Sequence, residues 1–404
     1  MSQKSFADLG LSQPVVGALA KNGMQSPFAI QALVIEDVLA GRDVLAKSPT
    51  GSGKTIAFGA PVVDMLDPKH RRTAALVLAP TRELVSQIVE EVRPMAESRG
   101  IRVASVYGGV GFEKQIKLAR AAHMIVATPG RLEDLLARNA LSLADVEILV
   151  LDEADRMLDM GFRPAVDRLV AKCPEDRQTL FFSATLDGEA GRIASEYTYE
   201  AVTHEHKPTE SSRGEIEHRF RAVDRDSRLP ALVAELNDAE LALVFVRTKR
   251  GADRLVKRLE GQGIKAVAMH GNKSQNQRER ALAAFESGRV NTLVATDVAA
   301  RGIDVEGVSH VINFDAPDDR ESYVHRIGRT GRAGRTGIGI TFVEAEQAKD
   351  VGRIAAALQL HGEFEGTGFA ATTARPHATG GPSRRRRGRS QGQGRGHAGQ
   401  RSNR

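Results

Sequence analysis

The stretch Ser48-Pro49-Thr50-Gly51-Ser52-Gly53-Lys54-Thr55 constrains this chain more than any other. A strand-like apolar run, Asp43-Val44-Leu45-Ala46, precedes it, and a helix-like run from Thr55 to Leu66 follows. Strand, glycine-rich turn and helix together form a setting in which backbone N–H groups can close around phosphate oxygens. The helix N-terminus adds a partial positive charge there. In such a loop Lys54 reaches the β- and γ-phosphates and the Thr55 hydroxyl ligates Mg2+. The general pattern opens on glycine, whereas Ser48 stands at that position here.

A loop of this kind belongs to a parallel sheet, and the downstream pattern agrees. Apolar runs at Ala75–Ala79, Val103–Tyr107, Met124–Ala127, Ile148–Leu151 and Thr179–Phe182 alternate with amphipathic stretches such as 83–96 and 131–138. Strands alternating with helices predict βαβ units. Ligand-binding residues then collect just after the strands, at the carboxyl edge of the sheet. Pro80-Thr81-Arg82-Glu83, Gly108-Gly109, Thr128-Pro129-Gly130-Arg131, Asp152-Glu153-Ala154-Asp155 and Ser183-Ala184-Thr185 all fall there. The polar segment from His204 to Glu215 reads as a linker. The pattern restarts beyond it, with apolar runs at Leu243–Val246, Ala266–Met269, Thr292–Ala295, Val308–Phe314 and Ile338–Val343, but with no second phosphate loop.

The charge balance is uneven. Nine of the 57 Lys and Arg residues, and none of the 51 acidic ones, lie between Gly366 and Arg404, which leaves residues 1–365 with a net charge of −3. That Gly/Arg-rich end cannot bury enough apolar surface to offset its ordering entropy, so it is expected to be disordered and to favour a nucleic-acid partner. A single cysteine, Cys173, excludes an internal disulfide and fits a buried thiol in a cytoplasmic protein. No apolar run approaches the ~20 residues of a membrane span, so no membrane role is expected.

Two groups carry chemistry beyond the loop. Ile148-Leu149-Val150-Leu151 ends in the adjacent acids Asp152 and Glu153. Downstream of a phosphate loop, this suits one acid for Mg2+ and one for the attacking water. In the second half, His325-Arg326-Ile327-Gly328-Arg329-Thr330-Gly331-Arg332 spaces arginines three apart among glycines. Guanidinium forks match phosphate oxygens and neutralise charge in phosphoryl transfer. A nucleotide site shared across a cleft between two domains accounts for a loop in one half and fingers in the other.

With these motifs in this order, from about Phe6 to Val343, the sequence resembles a DEAD-box ATP-dependent RNA helicase, and Asp152-Glu153-Ala154-Asp155 spells the family name. The resemblance implies an α/β fold of two RecA-like parallel-sheet domains in tandem. Domain one would occupy residues 1–206, a linker 207–215, domain two 216–365 and a disordered basic C-terminal tail 366–404. It implies ATP and Mg2+ as cofactors and RNA-stimulated ATP hydrolysis that locally unwinds short duplexes or remodels RNA–protein complexes.

Further residue roles follow from the same resemblance. Gln31 would read adenine, with Phe6 and Phe28 around the base. Ser48, Pro49, Thr50, Gly51, Ser52, Gly53, Lys54 and Thr55 would hold the phosphates, Ser48 standing where the family often has alanine. Asp152 with Thr55 would hold Mg2+, and Glu153 would activate water. Asp155, Ser183 and Thr185 would couple hydrolysis to unwinding, with His325 and Arg326 linking the domains. Gly302 and Asp304 would meet the ribose, and Arg329 and Arg332 would be the arginine fingers. RNA would touch Pro80, Thr81, Arg82, Gly108, Gly109, Thr128, Pro129, Gly130 and Arg131 in domain one, and Thr248, Gln275, Arg278 and Thr296 in domain two. Small and hydroxyl-bearing residues near glycines suit backbone and 2′-OH contacts, so RNA binding is expected to be largely sequence-independent. Ribosome-assembly or RNA-decay partners fit such an activity. Among the branches of the family, the short N-terminus and Arg/Gly tail resemble the bacterial RhlE-like type. A related DNA helicase and an ATP-gated RNA clamp with little turnover are the alternatives.

Overall fold

The computed structural model describes residues 4–49, 52–70, 72–186, 188–206, 215–300, 305, 307–331 and 335–369. They form two α/β domains, each built on one parallel sheet. The first sheet contains β1 (Val44–Lys47), β2 (Ala75–Leu78), β3 (Val103–Val106), β4 (Met124–Ala127), β5 (Ile148–Leu151), β6 (Gln178–Ser183) and β7 (Val202–Glu205), in the spatial order β3-β4-β2-β5-β6-β1-β7. The second contains β8 (Ile216–Ala222), β9 (Ala242–Phe245), β10 (Ala266–Met269), β11 (Thr292–Ala295), β12 (His310–Asn313) and β13 (Gly337–Val343), in the order β10-β11-β9-β12-β13-β8.

The period-two geometry of strands explains why the central ones read as unbroken apolar runs. In β2, Ala75 and Val77 face one layer of helices while Leu76 and Leu78 face the other. The first layer includes helices Ala29–Leu39, Lys54–Met65 and Arg82–Ser98; the second includes Pro129–Ala137 and Ala154–Asp159. Domain two repeats the plan. Helices Arg228–Asn237 and Lys249–Glu260 cover one face; Gln275–Glu286, Arg320–Ile327 and His361–Glu365 cover the other.

Two expectations are corrected. The linker does not begin at His204, because His204 and Glu205 belong to β7 and pair beside Ala46 and Lys47 of β1. The tail does not begin at Gly366, because Phe369 packs against the core of domain two. Residues 207–214 and 370–404 lie outside the described residues. Cys173 is buried, and burial pushes its thiol up to about 11. Among the described residues no helix is long and apolar enough to cross a membrane.

The strand order divides the carboxyl edge of sheet one. The loops after β1, β5 and β6 sit side by side and carry the expected nucleotide residues. Those after β2, β3 and β4 form the other half and carry the expected RNA residues. In sheet two, the loops after β9, β10 and β11 likewise lie together.

Candidate nucleotide site and nucleic-acid interface

The phosphate loop leaves β1 and enters the helix Lys54–Met65 through Gly53, whose φ is 84°. A Cβ there would clash with both Gln31 and Phe28, so only glycine lets these two side chains lie on the loop. Gln31 is buried. It accepts from the Phe28 N–H at 2.9 Å and donates to the Gly53 carbonyl at 3.0 Å. Phe28 is 61% exposed beside the loop, whereas Phe6, expected around the same base, is 2% exposed within the apolar core. Ser48 and Ser52 share a 2.6 Å hydrogen bond, and Ser52 also donates to the Pro49 carbonyl at 2.8 Å. Lys54 is buried and donates to the Ser48 carbonyl at 3.0 Å. Thr55 follows it on the first turn of the helix. Thr50 and Gly51 lie outside the described residues.

β5 delivers Asp152 and Glu153 next to this loop, both buried. Burial pushes the Asp152 carboxyl up to about 6, although Lys54 draws it down; Glu153 and Asp155 add repulsion. Glu153 has φ 49° and ψ 49°, a left-handed conformation that costs a non-glycine residue on the order of 1–3 kcal/mol. Arg156, one turn on, pairs with it at 3.0 Å and is itself buried. Burial acts to raise the Glu153 carboxyl. Arg156, Lys54 and, from domain two, Arg329 outweigh it and hold the group below its usual value. Asp155 accepts from the Ala184 and Thr185 N–H groups at 3.1 and 3.2 Å, and Ser183 donates to the Thr185 carbonyl at 2.5 Å. The Ser48 N–H donates to the Ser183 carbonyl at 3.0 Å, so the phosphate loop, the acids and the Ser183–Thr185 turn form one hydrogen-bonded block.

Domain two closes onto this block. Arg156, His325, Arg326 and Arg329 line a common cleft with Phe245 and Asp297. Burial lowers His325 to about 4, and Arg156 and Arg329 add to the shift. Arg326 was expected to link the domains, but its described bonds lie within domain two. It forms a two-pronged pair with Asp297 at 2.5 and 2.7 Å and donates to Asn313 at 3.1 Å and to the Asp315 carbonyl at 2.7 Å. With its fork filled by Asp297, it braces the helix that presents His325. Gly302, Asp304 and Arg332 lie outside the described residues.

The other half of the cleft is lined by helix starts. Thr81 caps the helix Arg82–Ser98, Thr128 precedes Pro129–Ala137, and Thr248 caps Lys249–Glu260. Pro80 sits in the turn before Thr81, and Gly130 lies one residue into its helix. The Arg82 guanidinium runs over Gly108 and Gly109, where a Cβ at Gly109 would overlap it. Arg131 donates to the Val110 carbonyl at 2.9 Å and lies 4.1 Å over the Phe112 ring, tying this loop to the next helix. Gln275 donates to Glu279 at 3.0 Å, and Thr296 is buried at the end of β11. Arg278 pairs at 2.9 Å with Glu83 of domain one, and both side chains are buried.

Arg156 and Glu83 are the partners that sequence reasoning missed. The i, i+3 spacing from Glu153 was a usable signal for Arg156. Nothing in the sequence points from Glu83 to Arg278.

A divalent cation fits beside Asp152. The carboxyl is buried without enough positive charge to keep its ordinary pKa. Among the described residues no three His, Cys, Asp or Glu side chains converge to hold a metal unaided. Phosphate oxygens would have to complete such a shell, as is usual for Mg2+.

Residues 28–193 match the family model for DEAD/DEAH box helicases, and residues 224–334 match the helicase conserved C-terminal domain. The chain is 44% identical over 342 residues to the DEAD-box ATP-dependent RNA helicase CshA of Geobacillus kaustophilus, across 84% of this chain and 73% of that protein. The chain belongs to the DEAD/DEAH box helicase family. The ATP-dependent RNA helicase CshA of Limosilactobacillus reuteri is 41% identical across 84% of this chain and 69% of its own length. These relatives carry the CshA name and do not confirm an RhlE-like branch. Among solved structures, Saccharomyces cerevisiae Dbp5 bound to RNA and ADP BeF3 superposes with a TM-score of 0.79 at 32% identity, across 90% of this chain and 94% of that one. The first matched segment spans β1 to β6 of sheet one, and the second spans β9 to β12 of sheet two.

Proposed function

We infer that this DEAD-box protein is an ATP-dependent RNA helicase whose ATPase is switched on by RNA and which opens short duplexes or remodels RNA–protein complexes. The observation that carries this reading most is the cleft in which Arg329 of domain two lies with Arg156, the ion-pair partner of Glu153. Neither domain alone assembles the charges that hydrolysis needs.

In this reading the adenine of ATP rests on Phe28 and Gln31, and Lys54 exchanges the Ser48 carbonyl for a phosphate oxygen. Thr55 and Asp152 would hold Mg2+, which would supply charge neutralisation on the phosphates when bound. Glu153, kept ionised by Arg156, Lys54 and Arg329, accepts a proton from the water that attacks the γ-phosphorus, and ADP leaves. Arg329 and Arg332 neutralise charge on the transferred group, which requires the closed cleft. RNA on the other half of the same cleft favours the same closure. ATP and RNA therefore tighten each other's binding. The test is ATPase rate against added RNA, with DNA of the same sequence as control. Strong stimulation by RNA alone is expected; a rate indifferent to RNA overturns the coupled mechanism.

A further inference from the structure

The helix Lys249–Glu260 carries a charged stripe for which the nucleotide site has no use. Ala252, Leu255 and Leu259 bury its inner face. Arg250, Arg254, Lys257 and Arg258 recur at i, i+4, i+7 and i+8 on its outer face, and all four are exposed. Among the described residues none of the four has an ion-pair partner. Other arginines of the domain, Arg219, Arg221, Arg228 and Arg247, each have a carboxylate. The acid within the stripe's span, Asp253, turns aside to Lys273 at 2.8 Å and His270 at 3.0 Å. Like charges one turn apart oppose one another. A polyanion relieves that repulsion.

Position identifies the polyanion. The helix starts at Thr248, on the carboxyl edge of the sheet beside the other expected RNA residues, and the Lys249 chain lies over Gly271 in the neighbouring loop. From there the stripe runs away from the cleft for about 12 Å.

We propose that Arg250, Arg254, Lys257 and Arg258 form an auxiliary RNA track that binds the phosphodiester backbone of the strand leaving the cleft. The inference rests on the cleft itself being the RNA site. The track lengthens the bound segment without reading bases, because cations on an exposed helix face meet phosphates and not base edges.

The test uses the full chain carrying Arg254→Gln, Lys257→Gln and Arg258→Gln together. Arg250 is kept because it lies close to Thr248. Affinities are measured across a salt series for a polyuridine too short to leave the cleft and for one several times longer. The triple variant should bind the short RNA as the parent does. It should bind the long RNA several-fold more weakly, with a salt slope shallower by about 2, since each single-strand phosphate contact contributes roughly 0.7. Equal losses on both RNAs, or none on the long one, overturn the track. Failure of the parent chain to bind the short RNA sinks the cleft reading instead. An unchanged melting temperature excludes misfolding, and charge reversal at the same three positions should deepen the long-RNA loss.

Discussion

A carboxyl group sealed at the end of an apolar strand avoids an isolated charge by taking a proton or by finding a cation. Asp152 and Glu153 divide these solutions between them. Glu153 has Arg156, Lys54 and Arg329 and stays ionised. Asp152 is left with Lys54 and rises to about 6. A native pKa above the free value of 3.8 means that the folded state binds this proton more tightly than the unfolded one. The associated stability is present below pH 3.8 and is lost as pH rises through 6. Asp152→Asn should therefore stabilise the nucleotide-free protein at neutral pH, by at most about 3 kcal/mol, while abolishing ATP hydrolysis. Thermal melts at acid and neutral pH check this; a destabilised variant would mean that the charge is already satisfied. Glu153→Gln should leave nucleotide binding intact and hold the chain closed on RNA, because no base remains for the water. Single-turnover hydrolysis at the parent rate would show that the acid is misassigned.

The elements differ in how far the sequence disclosed them. β2, β4, β5 and β11 are covered on both faces, so every residue is apolar or small and the runs stand out. β7 and β8 sit at sheet edges and alternate exposed polar residues with half-buried ones, so neither stands out as an apolar run and the end of β7 reads as linker. The ligand-binding loops were legible because parallel sheets gather them at one edge. The long-range pairings Glu83–Arg278 and Arg326–Asp297 were not, because a distant partner is chosen by packing in space. The Gly108-Gly109 turn shows what a legible element is for. Gly109 has φ 90° and lies beneath the Arg82 guanidinium. Gly109→Ala should strain the turn by about 1 kcal/mol or more and displace Arg82. RNA affinity should then fall about tenfold with ATP affinity unchanged, measured by titration of each ligand. An equal loss for ATP would mean that the two halves of the edge are not independent.

Closure of the whole molecule places two titratable groups in the seam with opposite consequences. His325 falls from 6.5 to about 4 through burial and through Arg156 and Arg329, with Asp155 and Glu153 pulling the other way. Protons therefore favour the open form, and the closed form weakens as pH falls from 6.5 toward 4, by up to about 1.4 kcal/mol per unit. Burial raises Glu83, which Arg278 only partly offsets, so protonation there favours closure instead. Interdomain fluorescence transfer with ATP and RNA present should show a closed fraction that declines below pH 6.5 in the parent and holds steady in His325→Gln. The Glu83–Arg278 pair has its own test. Both side chains are buried, and among the described residues Glu83 Oε1 and Arg278 Nε find no hydrogen-bond partner. Removing one member of such a pair costs about 3–5 kcal/mol where the other stays buried, whereas removing both is nearly neutral. Arg278→Gln should therefore open the cleft, and adding Glu83→Gln should largely close it again. An Arg278 that served only as an RNA contact would give no recovery in the double variant. The same titration thus decides whether this arginine holds RNA or holds the two domains together.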